Sequence, residues 1–206
     1  VSMRFEVRDL GFYFKKDRWL FRHLNITIFS GERVGIVAPS GFGKSTLARF
    51  MAGFLNPVVG EILMDGKPLP LKGSCPVQLI YQHPERAVDP YWTMDKILNE
   101  YWKPDESFRK MMGIKEDWLS RKPNELSGGE LQRFCIARVL GPQTKLLIAD
   151  EISTMLDAIT QAQIWAILLE HIKRENLGCV VVTHNVALAE RICTRQIDLS
   201  KDGGGQ

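Results

Sequence analysis

One short segment constrains the fold of this chain more than any other. Residues 38–46 read Ala-Pro-Ser-Gly-Phe-Gly-Lys-Ser-Thr and follow directly on the run Val-Gly-Ile-Val. Gly41 and Gly43 allow the backbone to turn its N–H groups toward an anion. Lys44 adds a positive charge, and the Ser45 hydroxyl can ligate Mg²⁺. The segment therefore predicts a strand, a phosphate-binding loop and a helix whose N-terminal end faces the phosphate.

One residue of this loop departs from the usual motif. Ala38 stands where such loops have their first glycine, and we expect the exchange to be tolerated if the backbone φ of Ala38 is negative. The alternative is a glycine-rich turn that binds nothing, which would need neither the lysine–serine pair nor the helix. The loop residues expected to contact the phosphates are Ala38, Pro39, Ser40, Gly41, Phe42, Gly43, Lys44, Ser45 and Thr46.

Length and composition favour one globular domain that spans residues 1–206. The chain is 45% hydrophobic, has a formal charge of +3, and lacks an apolar run of about 18 residues that could span a bilayer. So small a charge does not indicate nucleic-acid binding, which is typical of clustered basic patches. The four cysteines lack the C-x-x-C spacing of metal sites, so we expect buried, reduced thiols. Met3 is one candidate for the native start, in which case Val1 and Ser2 are a remnant, and residues 203–206 resemble a frayed end.

Short apolar runs alternate with helical patterns, which is typical of an α/β fold with a mostly parallel sheet. The runs expected to form its buried strands are residues 34–37, 77–81, 145–149 and 179–182. Residues 3–7 and 19–29 alternate between apolar and polar side chains, which predicts an N-terminal antiparallel β subdomain. Residues 83–140 are rich in proline and tryptophan with short helical stretches, and we interpret them as an inserted helical subdomain.

Two adjacent carboxylates, Asp150 and Glu151, follow the strongly apolar run 145–149. Charges at the end of a buried strand are costly unless they are used. Downstream of a phosphate-binding loop, Asp150 is expected to hold Mg²⁺ and Glu151 to accept a proton from an attacking water. The alternative is an acidic strand end that only caps a helix.

A second site for an anion is predicted where residues 126–133 read Leu-Ser-Gly-Gly-Glu-Leu-Gln-Arg. Ser127, Gly128 and Gly129 lead into a helix that we expect to begin near Glu130, and a helix N-terminus attracts negative charge. One triphosphate hardly needs two such sites within one domain. We therefore expect this second site to complete the phosphate-binding site of another copy of the chain, and the reverse. The alternative is that residues 126–133 only form a flexible turn and a capped helix and bind no anion.

These segments together resemble the ATP-binding cassette (ABC) ATPases. The segment 126–133 looks like the signature motif of that family, with the phosphate-binding loop upstream and Leu-Leu-Ile-Ala-Asp-Glu downstream in matching order. The resemblance covers essentially the whole chain. It implies a P-loop NTPase core that binds ATP and Mg²⁺ and hydrolyses ATP between two head-to-tail cassettes.

The resemblance also implies roles for individual residues. Gln82 looks like the glutamine that contacts Mg²⁺ and the attacking water, His184 like the histidine at the γ-phosphate, and Asp157 like the aspartate that contacts the opposite subunit. Phe14 fits the aromatic position that stacks on adenine, and Tyr13 is the adjacent alternative. Phe14 could instead be a residue of the hydrophobic core. The implied catalytic residues are Lys44, Gln82, Glu151 and His184, and the implied metal ligands are Ser45, Gln82 and Asp150.

The segment after Gln82, His-Pro-Glu-Arg-Ala-Val-Asp-Pro, resembles the branch of the family that energises uptake of oligopeptides, dipeptides and nickel. That likeness implies a second cassette, identical or related, two transmembrane permease subunits and an extracytoplasmic binding protein. It places the chain at the cytoplasmic face of the membrane. Many members of this branch continue beyond the last strand, and we expect that extension to be either absent or removed.

Two other functions remain as alternatives at this point. A soluble cassette that acts on nucleic acid or the ribosome usually joins two cassettes or carries long insertions. A small-molecule kinase would share the phosphate-binding loop but would not explain residues 126–133 or His184.

Overall fold

The computed structural model describes residues 2–16, 18–70 and 73–202. In these residues the strands are β1 (Arg4–Lys15), β2 (Arg18–Phe29), β3 (Arg33–Val37), β4 (Val59–Met64), β5 (Lys67–Pro68), β6 (Val77–Ile80), β7 (Leu146–Asp150), β8 (Gly178–Thr183) and β9 (Arg195–Asp198). The α-helices are α1 (Lys44–Met51), α2 (Met94–Leu98), α3 (Glu106–Met111), α4 (Gly128–Val139), α5 (Ala158–Arg174), α6 (Val186–Ile192) and α7 (Leu199–Asp202). Short 3-10 turns cover Pro84–Arg86, Glu116–Trp118 and Pro123–Glu125.

The larger sheet is parallel throughout, in the order β6-β7-β8-β3-β9. Every residue of β7 and β8 is buried, as expected for strands that are covered on both faces. Since all five strands run in one direction, their carboxyl ends lie along one edge of the sheet. The predicted α/β fold with a mostly parallel sheet is confirmed.

The smaller sheet is antiparallel, in the order β2-β1-β4-β5. Along β2 the apolar residues Leu24, Ile26 and Ile28 are buried, whereas Asn25 is exposed, which is the alternation predicted from the sequence. The buried face packs in one hydrophobic core with α1 and one face of the parallel sheet. The N-terminal antiparallel β subdomain is thereby confirmed.

The chain between β6 and β7 is helical, and in these described residues it contains no strand. It contributes α2, α3 and α4 to a second hydrophobic core, on the opposite face of the parallel sheet from the first. Phe134 of α4 and Trp118 are buried in this core. The limits 83–140 of an inserted subdomain stay a prediction.

Several strand boundaries differ by one residue from what the sequence predicts, and β1 continues to Lys15 although its predicted run ends at residue 7. Helix α4 begins at Gly128, two residues before the predicted start, because Ser127 caps it and accepts a hydrogen bond from the Glu130 N–H. The edge strand β9 and the short helix α7 carry weak patterns and were not predicted. The predicted frayed end, residues 203–206, lies outside the described residues.

No helix in the described part of the chain is both long and apolar enough to cross a membrane.

Gly60, in β4, has a φ of 88°, and a Cβ atom there would overlap the carbonyl oxygens of Arg8 and Asp9 on β1. Gly66 has a φ of 76°, but a Cβ atom there would meet nothing within 4 Å. We expect Gly66→Ala to lower the free energy of unfolding by about 1–2 kcal/mol, the cost of a positive φ alone. Gly60→Ala should cost about 3 kcal/mol or more, because overlap adds to that strain.

Denaturant unfolding of the two variants measures the difference. Equal losses of stability would contradict the close approach of β4 to β1.

Candidate active site

The carboxyl edge of the parallel sheet gathers the residues that the sequence singled out. Strand β3 leads into the loop 38–43, β6 is followed closely by Gln82, β7 by Glu151 and β8 by His184. Because β6, β7, β8 and β3 are neighbours in the sheet, these four segments emerge side by side.

The loop after β3 has the backbone that a phosphate-binding loop requires. Gly41 and Gly43 have φ angles of 88° and 80°, which other residues rarely adopt. A Cβ atom at Gly43 would also lie 2.9 Å from the side chain of Leu20. Ala38 is not among the residues with a positive φ, so the condition for its tolerance is met.

The N-terminus of α1 is left open toward the cleft. Its N-cap residue, Gly43, supplies no side-chain hydrogen bond, and its first turn contains no acidic residue. Lys44 is buried, and its Nζ donates to the carbonyl oxygens of Ala38 and Pro39 at 2.7 and 3.0 Å. Uncapped N–H groups and a cation held inside the loop fit a polyphosphate.

Two hard oxygen ligands meet beside this loop. The Ser45 Oγ donates to Asp150 Oδ1 at 3.2 Å, which joins α1 to the end of β7. Burial raises the pKa of Asp150 above its ordinary value, while the hydrogen bond from Ser45 opposes that rise. No group of three His, Cys, Asp or Glu side chains in the described residues could hold a metal by itself. The pair fits Mg²⁺, which takes few protein ligands and completes its shell with phosphate oxygens and water.

Glu151 lies at the centre of a second group. Its Oε1 is 3.1 Å from His184 Nδ1, and its Oε2 accepts a long hydrogen bond, 3.4 Å, from Gln82 Nε2. The Glu151 backbone has a φ of 49° and is held there by its N–H, which donates to the Val182 carbonyl oxygen at 2.9 Å. A strained, mostly buried carboxylate with two polar neighbours is suited to orient water and accept its proton.

A cleft of about 410 Å³ joins the two groups. Its lining residues are Phe14, Leu20, Ser40, Gly41, Gly43, Lys44, Ser45, Thr46, Gln82 and Glu151. At the apolar end, the Phe14 ring is 72% exposed and touches Phe12 edge-on, whereas the Tyr13 ring packs against Trp19. Only Phe14 of the two aromatic candidates therefore lines the cleft.

The segment 126–133 does not contribute to this cleft. Ser127 and Glu130 form a capping box at the start of α4, in which Glu130 Oε2 accepts from the Ser127 N–H at 2.8 Å. A Cβ atom at Gly128 would meet nothing within 4 Å, so this turn presents an open surface. Asp157 likewise caps α5 through hydrogen bonds from the N–H groups of Ile159 and Thr160.

The sequence analysis missed two residues in or beside the cleft. Leu20 lines the cleft, and Thr154 Oγ1 lies 3.4 Å from Nε2 of the lining residue Gln82. Leu20 gave no separate signal in the sequence, since its position depends on the irregular pairing of β1 with β2. Thr154 gave no separate signal, since it stands in a turn after Glu151.

The fold and this cleft define a P-loop nucleoside triphosphatase: a parallel sheet with a phosphate-binding loop after one strand and paired carboxylates after its neighbour. A family profile described as "ABC transporter" matches residues 21–154. The chain belongs to the ABC transporter family.

Relatives of known identity agree with this assignment. The chain is 35% identical over 212 residues to a nickel import system ATP-binding protein NikE of Staphylococcus aureus, covering 96% of this chain and 87% of the relative. It is 33% identical over 195 residues to the nickel import ATP-binding protein NikE of Escherichia coli, covering 85% and 73%. A solved dimeric structure of the cassette MJ0796 in a post-hydrolysis state, bound to ADP and Pi, superposes with a TM-score of 0.79 at 26% identity, covering 98% and 96%.

The chain is accordingly an ATP-binding and ATP-hydrolysing subunit of an ABC transporter. Nothing in the comparisons supports the nucleic-acid alternative.

Burial makes the charge of Asp150 costly to the free protein. Because its pKa is raised, the folded chain binds this proton more tightly than the unfolded chain. Below the ordinary pKa of 3.8 the carboxyl is protonated in the folded and the unfolded chain, so it costs no stability. As the pH rises above 3.8, the loss of stability grows until the pH passes the raised pKa of the folded chain. We expect Asp150→Asn, without nucleotide or Mg²⁺, to stabilise the chain at pH 7, with the gain shrinking toward pH 4.

Asp157→Asn serves as the control of opposite sign. Hydrogen bonds from Thr160 lower the pKa of Asp157, so its charge contributes stability at neutral pH that is lost as the pH falls. Unfolding free energies of both variants across this range measure the effect, and a pH-independent gain for Asp150→Asn would contradict it.

Proposed function

We propose that the chain binds Mg·ATP in the 410 Å³ cleft and energises a membrane importer, with nickel or peptides as cargo. The observation that carries the proposal is the convergence, at one sheet edge, of the lysine and serine of the loop with Asp150 and Glu151.

In this proposal the loop residues bind the phosphates. The N–H groups of the loop and of the first turn of α1 donate to the phosphate oxygens. Lys44 Nζ exchanges its bonds to the Ala38 and Pro39 carbonyl oxygens for bonds to the outer phosphates. Phe14 and Leu20 hold the adenine ring, with Phe14 stacking on its face.

Mg²⁺ fits the pair Ser45 and Asp150, with Gln82 as a further ligand, and would neutralise charge on the transferring phosphoryl group. Protein oxygens that are already 3.2 Å apart need little rearrangement to share one ion. Burial of Asp150 also favours the site, because a bound cation removes the cost of the buried carboxylate.

Glu151 performs the proton transfer. Its Oε1 contacts His184, and its Oε2, which accepts a long hydrogen bond from Gln82, accepts the proton of a water. That water attacks the γ-phosphorus as the bond from this phosphorus to ADP breaks, and Gln82 orients it. His184 does not itself line the cleft, but its contact with Glu151 places it next to the cleft, and in this proposal it donates to the γ-phosphate. Lys44 and His184 stabilise the charge on the phosphoryl group in the transition state, which supplies the remainder of the rate enhancement.

The signature residues Ser127, Gly128, Gly129 and Glu130 complete the site of a second cassette. Support comes from the turn at the start of α4, which is open at Gly128 and does not line the chain's own cleft. Asp157 contacts the same partner. The MJ0796 cassette, which is dimeric, is similar to this chain over 98% of its length. The partner cassette is an identical or a related chain.

Two permease subunits and an extracytoplasmic binding protein complete the proposed importer. A groove of about 570 Å³ beside the segment after Gln82 suits a permease helix, since Phe54, Tyr81 and Trp92 line it together with Asp89. This arrangement keeps the chain at the cytoplasmic face of the membrane. Nickel as cargo is supported by the names of the two relatives, and peptides by the sequence of the same segment.

Glu151→Gln keeps the shape of the side chain but cannot accept the proton. We expect ATP affinity within about threefold of wild type and a turnover number lower by about 10² to 10⁴, the contribution of a general base. Bound ATP should then hold two cassettes together, as measured by light scattering. Glu170→Gln, at an exposed position of α5, is the control and should hydrolyse ATP normally.

If the isolated chain does not hydrolyse ATP, the turnover and light-scattering measurements use the chain together with its partner cassette. Unchanged turnover by Glu151→Gln would remove Glu151 as the base.

A further inference from the structure

Helix α4 presents a row of hydrogen-bond donors to the segment that follows β6. Gln132, Cys135 and Arg138 are spaced three residues apart and therefore form one ridge of the helix. Arg138 Nη2 donates to the Ala87 carbonyl oxygen at 2.9 Å. Cys135 Sγ lies 3.7 Å from the Pro84 carbonyl oxygen as its donor. The step of three residues from Cys135 to Arg138 along α4 thus matches the step of three residues from Pro84 to Ala87 along the segment.

The third donor of the row has no partner. Gln132 is 2% exposed, and its Nε2 is buried without a hydrogen bond. Natural proteins keep few such groups, because water no longer compensates the lost bond. An unpartnered amide inside an otherwise paired row indicates that its acceptor comes into reach in another arrangement of the segment.

The spacing of the row identifies that acceptor. Three residues before Pro84 the chain leaves β6 at Tyr81 and turns into Gln82. The His83 carbonyl oxygen already accepts from the Arg86 N–H at 3.1 Å. The carbonyl oxygens of Tyr81 and Gln82 are therefore the acceptors that would continue the row.

The Gln82 turn is also weakly held in its present position. The side-chain amide reaches Glu151 and Thr154 only at 3.4 Å, near the outer limit of a hydrogen bond. Gln82 lines the cleft, so a nucleotide that draws its side chain inward would move the backbone of the same turn.

We propose that Gln132 is a positioning residue that fastens the Gln82 turn to α4 when Gln82 engages bound nucleotide. Its Nε2 then donates to the carbonyl oxygen of Tyr81 or Gln82 and completes the row begun by Arg138 and Cys135. This inference rests on the proposed function, because it requires Mg·ATP in the cleft. Since α4 begins at the signature turn, the bond links a cassette's own nucleotide to the surface it offers to the second cassette.

Gln132→Met tests the proposal, since methionine has a similar volume and no donor. We expect the melting temperature without nucleotide to stay the same or rise, because a buried unpaired amide is removed. ATP affinity should stay within twofold. In the wild-type chain we expect Mg·ATP to slow the amide hydrogen exchange of residues 81–87, and in Gln132→Met this response should be lost. The kcat should fall on the order of tenfold with KM unchanged, the factor that one hydrogen bond supplies.

Tyr101→Phe is the matched control. In the described part of the chain, the Tyr101 hydroxyl is the other buried side-chain nitrogen or oxygen without a hydrogen-bond partner. Its removal therefore reports only the gain in stability. The exchange of residues 81–87 in this variant should still respond to Mg·ATP. Gln132→Leu replaces Gln132→Met if the latter does not fold.

Three results would overturn the inference. One is a wild-type response of residues 81–87 in Gln132→Met, and another is no response in a wild-type chain that binds ATP. Failure of the wild-type chain to bind ATP would instead refute the proposed function and the inference with it.

Discussion

The register of four parallel strands is the constraint on which the site depends. In β6, β7, β8 and β3, Ile80 pairs with Ala149, Asp150 with Val182, and Val37 with Thr183, so the four strands end within two residues of one another. A slip of one residue would turn each terminal side chain to the opposite face of the sheet. The apolar strands pack against both hydrophobic cores, and this packing fixes their register. It therefore also fixes the positions of the polar residues that follow the strands, although these residues are not part of the cores.

Several of these polar residues are held at a cost to stability. Glu151 has a positive φ, Asp150 is a buried carboxylate, and the N-terminus of α1 lacks a cap. Ser127, Asp157 and Asn185 cap their own helices, and the described strands are paired. Glu151, Asp150 and the uncapped end of α1 lie together at one edge of the sheet, which is typical of a site that is completed by a ligand.

The sequence predicted the parts of the structure that are determined locally. The loop 38–46 carries its own glycines, lysine and serine, and the strands around it are short apolar runs whose burial follows from composition. The pairing of Ser45 with Asp150 followed from the order of the motifs along a parallel sheet.

What the sequence did not predict depends on contacts between distant segments. Strand β9 is a four-residue edge strand with an exposed N-terminal half, so its own pattern is weak and its pairing with β3 defines it. The choice of Phe14 over Tyr13 as the cleft residue depends on irregular pairing in the β1–β2 hairpin, which no local pattern reveals. The unpartnered amide of Gln132 is likewise a property of packing, because one residue type at one helical position does not show what surrounds it.

The central claim is that the loop after β3 and the carboxylates after β7 hold one magnesium-bound triphosphate. Calorimetric titration of the chain with ATP and with adenosine, each with and without Mg²⁺, tests this claim most directly. The account predicts that ATP binds, that Mg²⁺ strengthens its binding, and that adenosine binds at least a hundredfold more weakly, since most contacts are made to phosphates (about 2.7 kcal/mol at that ratio). Equal affinities for ATP and adenosine, or no effect of Mg²⁺, would contradict it.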